Sequence, residues 1–365
     1  MEKLTFKLEF ITPAFIGGAK PRKAELRPAS FVGLLRWWWR ALRCEEDTEK
    51  LYEEDVKIFG GHLEEKATAS KVMIRIKRVD ENFNLVEDKS LKDYAKLNYF
   101  YDRNKRTLSG KDAGIGYLLY STLLYSTGEK SFIAPGSQFE LTFLGDGEII
   151  KHYVASLWCL VFLGGIGTRA RRGAGNMNCL SVEPEFKELS FRPDPKNLMS
   201  WIETNLKQAK KIVNGGLSNK KLKYSHLCPS VKIAISKEYY RDYKEALNQI
   251  GSFFKRYREE QYRKGNIDIL FDMGYFGLPI RHSNGEFLKA GGYFRRSSPL
   301  IIRVLRVEDS YRWVLVKLNG EFLPENTKLK FASQQKSVDS EKANKVLECF
   351  FKSIEDQAFI KEVSL

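Results

Sequence analysis

Residues Gly164–Asn176 read GGIGTRARRGAGN. Five glycines (Gly164, Gly165, Gly167, Gly173, Gly175) surround three arginines (Arg169, Arg171, Arg172), with no acid among them. Glycine lacks a Cβ, so its backbone can approach a ligand closely and take positive φ. Arginine supplies a planar donor fork that matches phosphate. A loop of this composition suits a polyanion held against exposed N–H groups. The apolar run before it, Tyr153–Leu163, has the length of a helix, and Met177–Val182 after it reads as a short strand. The loop therefore leaves a helix and enters a strand. Gly165-x-Gly167-x-x-Ala170 has the spacing of a dinucleotide fingerprint, but that motif must follow a strand and open a helix. The Gly-Lys-Ser/Thr of a Walker loop is absent, and Gly110-Lys111 runs into Asp112. The plainer alternative is a flexible basic turn.

Upstream, Leu4, Phe6, Leu8 and Phe10 alternate with Thr5, Lys7 and Glu9, the pattern of a strand with one buried face. A long loop, Thr12–Pro28, carries Gly17, Gly18, Lys20, Arg22, Lys23 and Arg27. A helix follows, with Ser30 as its expected N-cap after Pro28. Phe31, Leu34, Leu35, Trp38 and Leu42 share one face. Arg36, Arg40 and Arg43 fall within about 60° of each other on the opposite face. Trp37 and Trp39 flank the two. A solvated arginine stripe on an ordinary amphipathic helix would read the same way. Gly33, the basic loop before it and the anion affinity of a helix N-terminus point instead to a ridge that faces phosphate.

Glu45–Asp55 is an acidic helical stretch that stops at Gly60-Gly61. Lys71–Val79 alternates as a strand. Asp80–Asp112 is polar and weakly patterned, with basic residues Arg103, Lys105, Arg106 and Lys111, and reads as an insertion or mobile arm. Phe139, Leu141 and Phe143 mark a further strand, and Glu148–Leu163 the helix that enters the glycine loop. The order β-α-(α)-β-β-α-β is that of a split βαβ, ferredoxin-like unit.

Glu183–Pro195, with three prolines, reads as an interdomain connection. Beyond it come a helix (Asn197–Val213), a basic glycine loop (Asn214–Lys223), a strand (Val231–Ser236) and a long charged helix (Tyr239–Lys264). Two strands, Leu300–Val307 and Tyr311–Leu318, precede a closing helix, Ser340–Ser353. The expected fold class is α+β, with two ferredoxin-like, RRM-related units in one chain. The expected domains are 1–185, with an insertion at about 80–112, and 186–365.

Composition narrows the partners. In 365 residues, 61 Lys+Arg face 46 Asp+Glu, a net charge of +15. That balance favours nucleic acid, an anionic surface or an acidic protein. No apolar run spans a bilayer, since Val154–Ile166 is too short. The start, MEKLTFKLEF, lacks a signal-peptide layout. Five scattered cysteines with no CxxC pair suggest free thiols in the cytoplasm, no disulfide framework and no zinc site. No cofactor, metal or small-molecule substrate is expected.

Three local patterns coincide: Thr12-Pro13 with Ile16-Gly17-Gly18; Glu25-Leu26-Arg27-Pro28-Ala29-Ser30-Phe31-x-Gly33-x-x-Arg36-x-Trp38-Trp39-Arg40-Ala41; and Gly167–Gly173. Together they resemble the RAMP superfamily of CRISPR RNA-binding proteins, and within it the first-numbered subunit of type III-B (Cmr) effector complexes. The likeness covers the first half directly; in the second, only Arg295-Arg296-x-Ser298-Pro299-Leu300 is similar. It implies a non-catalytic, RNA-binding subunit in antiviral defence. The implied partners are guide RNA near its 3′ end, target RNA and other Cmr subunits. The expected RNA-binding residues are Lys20, Arg22, Arg36, Trp39, Arg40, Gly165, Gly167, Thr168, Arg169, Arg171, Arg172, Arg295 and Arg296. Tyr293 and Phe294 are a further candidate stacking pair. Phosphate contacts of this kind carry no sequence information, as suits a machine in which base pairing reads the target.

The rival reading is a metal-independent endoribonuclease that processes CRISPR RNA. It needs a general base near a cationic phosphate site, and His62 and His282 are the candidates. No paired-carboxylate metal motif stands out.

Overall fold

The computed structural model describes every residue except 21, 64–65, 105–106, 124–129, 217–221, 283–284, 293–294 and 325, and the side chains of 121 and 123. Tyr293, Phe294, Lys105, Arg106 and part of the Asn214–Lys223 loop thus lie outside the described residues.

The first sheet is built from β1 (Glu2–Phe10), β2 (Val72–Arg78), β3 (Gln138–Gly145) and β4 (Met177–Glu183) in the spatial order β4-β1-β3-β2. Every pairing is antiparallel. The register sets Phe6 opposite Leu141, and Leu141 opposite Ile76. One face is consequently apolar. It carries Leu4, Phe6, Leu8, Phe139, Leu141 and Phe143, all buried. Helices α1 (Pro28–Arg43), α2 (Thr48–Phe59), α3 (Ala113–Leu123) and α4 (Gly147–Phe162) follow in chain order, and α1 and α4 pack on that face.

Helix α1 begins earlier than expected. Pro28 opens it, with Arg27 as the flanking residue and no side-chain cap, and Ser30 lies inside it. Proline suits the first helical position because its φ is preset and its missing N–H has no helical partner there anyway. Asp146 caps α4, accepting from Glu148 N and Ile149 N at 3.0 and 3.3 Å. From Tyr153 onward every residue of α4 is buried. A helix that is apolar all round must be covered on all sides, and here a second layer covers it.

That layer is α5 (Leu198–Ile212) and a second sheet of β5 (Ser230–Ser236), β6 (Leu300–Val307), β7 (Ser310–Lys317) and β8 (Ala358–Ser364), in the order β6-β7-β5-β8. Its Ile233, Ile235, Ile301, Leu305, Val314 and Val316 share one core with α4 and α5. Its other face, with Ile302, Val304, Trp313 and Leu315, packs on α6 (Tyr243–Arg263) and α7 (Ser340–Lys352). The layers therefore run sheet, helices, sheet, helices. Each sheet follows a β-α-β-β-α-β chain order, with strands in the order 4-1-3-2.

Elements with no counterpart in the sequence reading include α3, the strand β8, a helix at Ile267–Met273, and a further small sheet of Ile280–Arg281, Phe287–Ala290, Lys328–Phe331 and Gln334–Ser337. The stretch 80–112 is not an arm. It holds a hairpin, Phe100–Asp102 with Thr107–Ser109, and its Val86, Leu91, Leu97 and Leu108 are buried. All but Leu108 join the core that α3 shares with α6. Cys44 and Cys228 form a disulfide across 184 residues of sequence, so they are not the free thiols expected. They meet because the end of α1 pairs with the approach to β5, Leu227 N donating to Ala41 O at 3.0 Å.

Candidate nucleic-acid interface

The glycine loop is an internal fastener more than an open cradle. Its backbone meets the second sheet through Ile302 N, which donates to Arg171 O at 3.2 Å. The Arg171 guanidinium donates to Ser298 O and lies 5.1 Å over the Trp37 ring. Arg172 donates to Leu300 O at 3.0 Å and Phe276 O at 2.7 Å, and stacks 5.0 Å over Phe254. Burial lowers both guanidinium pKa values, to about 10 for Arg171 and about 9 for Arg172; neighbouring arginines add to the shift. Asn176, which ends the loop, accepts from Val304 N at 2.8 Å and donates to Gly164 O at 3.1 Å. Arg171 and Arg172 therefore do not project toward a ligand, contrary to the sequence reading. Their forks satisfy carbonyls of the second half, which a sequence cannot tell from phosphate.

The glycines obey the same geometry. Gly167 takes φ 91°, and a Cβ there would lie 2.5 Å from Phe15 O. Gly165 is buried, and a Cβ there would lie 2.8 Å from Asn176 Nδ2. Both glycines let backbone pass backbone. Arg169 stands in the left-handed region at φ 64°, which side chains rarely adopt. Its carbonyl accepts Arg172 N at 2.7 Å, which closes the turn.

The stripe on α1 is also engaged. Asp55 of α2 is 1% exposed at its side chain and receives Arg36, and Arg40 at 3.5 Å. Arg43 pairs with Glu54 at 2.7 Å. The acidic helix read from the sequence is what covers the arginine face. Trp39 is 1% exposed. It donates to His152 Nδ1 at 3.1 Å and packs edge-on to Phe59, so it cannot stack on a base. Loop and stripe do not form one cationic cradle. Arg40 retains the larger opening, with 43% of its side chain exposed.

What does reach solvent beside the loop is a rim. Gly167 and Thr168 are exposed, as are Lys20 and Arg22. Thr168 N donates to Phe15 O at 2.9 Å, which ties the tip of the glycine loop to the start of the Gly17–Ala24 loop. Arg22 O accepts Ser131 N at 3.0 Å, and the adjacent Lys130 Nζ donates to Thr168 Oγ1 at 3.0 Å. Burial lowers the Lys130 pKa. Lys130 was not among the residues read from sequence, because nothing in its neighbourhood marks it. Arg295 is exposed. Arg296 is turned inward, onto Glu321 O at 3.0 Å and Phe322 O.

The histidines stand in four separate settings. His62 lies on a two-stranded ribbon, opposite Ala67. His282 sits on the small third sheet's side, its ring 5.5 Å from Phe331. His152 is held by Trp39, and burial lowers its pKa. Burial, with Lys210 beside it, pushes His226 down to about 4. Among the described residues no group of three His, Cys, Asp or Glu side chains could hold a metal. No described helix is long and apolar enough to cross a membrane.

Two four-stranded sheets joined through a Gly/Arg loop define the class. A family model described as RAMP superfamily matches residues 7–178. The CRISPR system Cmr subunit Cmr1-2 of Pyrococcus furiosus is 32% identical over 192 residues, 48% of this chain and 95% of that protein. Subunit Cmr1-1 of the same organism is 27% identical over 333 residues, 88% of each chain. The crystal structure of apo Cmr1 from Pyrococcus furiosus matches with a TM-score of 0.66 at 22% identity, covering 100% of this chain and 99% of that one. A chain of a type III-B Cmr-beta complex bound to cognate target RNA matches with a TM-score of 0.54 at 16% identity, covering 96% and 99%. The chain belongs to the RAMP superfamily and, within it, to the Cmr1 family of type III-B CRISPR subunits.

Proposed function

We propose that this chain is a non-catalytic, RNA-binding subunit of a type III-B CRISPR effector. It touches guide RNA near the 3′ end, target RNA, or both, and docks on other Cmr subunits. The two β-α-β-β-α-β sheets are read as ferredoxin-like units, 1–185 and 186–365. The observation that carries the reading is the rim at the tip of the loop, where Lys20, Arg22 and Thr168 are exposed and the half-buried Lys130 bonds Thr168, on a chain of net charge +15. Lysine, arginine and threonine are the side chains that hold phosphate oxygens. The subunit names of the relatives, and the target RNA named in the structure with a matching chain, support the same reading.

Arg171 and Arg172 are the wrong residues with which to test it, because removing them would loosen the join between the halves. The test is Lys20, Arg22 and Lys130 changed together to alanine. Binding of a single-stranded RNA should then lose up to about two units from the slope of log K against log salt, given roughly 0.7 per phosphate contact. An unchanged slope would take the rim out of the interface.

A further inference from the structure

Among the described residues, no layer covers the central rows of the other face of the first sheet. The side chains on this face read across the strands in rows. Met73, Leu144 and Lys3 form one row; Arg75, Thr142 and Thr5 the next; Lys77, Glu140 and Lys7 the third. Lys3, Arg75, Lys77 and Met73 are exposed, and Lys7, Thr5, Thr142, Glu140 and Leu144 half-buried. None of the four cations has a side-chain hydrogen bond, ion pair or ring contact among the described residues. Glu140 stands between Lys7 and Lys77 in the register, yet it forms an ion pair with neither. At the far end Glu9 is already taken by Arg306 at 2.8 Å; Glu183 lies opposite Thr5, at the β4 edge.

Cations on an edge strand are commonly a guard against sheet-to-sheet pairing. That explains Arg75 and Lys77, which stand on the edge strand β2. It does not explain Lys7, which stands on β1 where that strand is flanked by β4 and β3; Lys3 lies just past the end of the β4 pairing. A central strand needs no guard. Nor does the face suit base stacking, since its three rows hold no aromatic residue. What it offers is lysine, arginine and threonine on a flat grid, the donor set for a sugar-phosphate backbone.

We infer that the open face of the first sheet is a second RNA surface, one that holds the phosphodiester backbone of a single strand without reading its bases. This inference rests on the RNA-binding reading above, and it locates contacts away from the glycine-loop rim.

The experiment uses the full chain and a 20-nucleotide oligouridylate, titrated by fluorescence anisotropy over a series of salt concentrations. Changing Lys3, Lys7, Arg75 and Lys77 to alanine should flatten the salt slope by about two to three units, and weaken binding at least tenfold at low salt. A charge-keeping set (Lys3→Arg, Lys7→Arg, Arg75→Lys, Lys77→Arg) should restore the slope. Unchanged urea midpoints would show that folding is intact. If the wild-type chain binds and the alanine set leaves its slope unchanged, the inference falls while the RNA-binding reading stands. If the wild-type chain binds no RNA even at low salt, both fall. If the alanine set spares RNA but abolishes binding of polyglutamate, the face is a site for acidic protein and the inference is overturned.

Discussion

Arg75 and Arg303 each stand on a strand of a four-stranded antiparallel sheet, in opposite surroundings. Arg75 is exposed on the open face of the first sheet. Arg303 is 0% exposed in the second. Its guanidinium donates to Val304 O at 2.8 Å and to Val161 O of α4. Arg312, on the neighbouring strand β7, is likewise spent on Ser236 O. The difference follows from the layers. The second sheet has helices on both faces, so its buried arginines are spent on carbonyls inside, and Arg306 on the carboxylate of Glu9. The first sheet has helices on one face only, so its outward charges stay available. In a strongly basic chain, what separates binding charge from structural charge is which side of a sheet it stands on.

The largest effect expected from this contrast is on folding. Arg303→Ala leaves a cavity and two carbonyls without their donor, and should cost roughly 3–5 kcal/mol in a urea titration. Arg75→Ala should stay within about 0.5 kcal/mol. Equal costs would mean that the two faces are not as different as their burial.

The next effect is on pH. Among the described residues neither ring nitrogen of His226 has a hydrogen-bond partner, and the residue is 2% exposed. Its pKa is about 4 in the fold against 6.5 outside it. The unfolded chain therefore binds the extra proton first. Stability is full above pH 6.5 and is lost as pH falls toward 4, by an amount on the order of 3 kcal/mol. Replacing His226 with leucine should remove that share of the acid limb, whereas the four-alanine set on the open face should leave it in place. Urea midpoints between pH 7 and 4.5 decide it.

The third and smallest effect tests the helical side of the first sheet. Asp55→Ala strands Arg36 in a partly buried site and should cost about 2–3 kcal/mol. A loss under about 0.5 kcal/mol would show that the α1 stripe is effectively solvated, and would return Arg36 and Arg40 to the candidate RNA surface.

Much of the framework was legible because it is written in periodicity. The alternation of Leu4, Phe6, Leu8 and Phe10 marks β1, the unbroken apolar run before Gly164 marks α4, and the pair Leu300–Val307 and Tyr311–Leu318 corresponds to β6 and β7. What failed to show was set by partners far away in sequence. Strand β8, with Phe359 exposed and Lys361 and Glu362 outward, carries too little apolar pattern to be recognised alone; it exists because β5 pairs with it. The fates of Arg171 and Arg172 depend on carbonyls more than a hundred residues on. The pairing of Cys44 with Cys228 depends on how the end of α1 docks. Composition marks the loop as cationic, but only packing says whether each cation faces outward.

The helix α4 has a final consequence. From Tyr153 onward it is buried on every side and is coated by one sheet below and another above. The two halves therefore share a common wall, and neither owns it. A protease cut in the Glu183–Pro195 connection should yield fragments that stay together under native conditions. Either fragment made alone should precipitate or recruit a foreign apolar surface, and simultaneous synthesis of both should recover the joined fold.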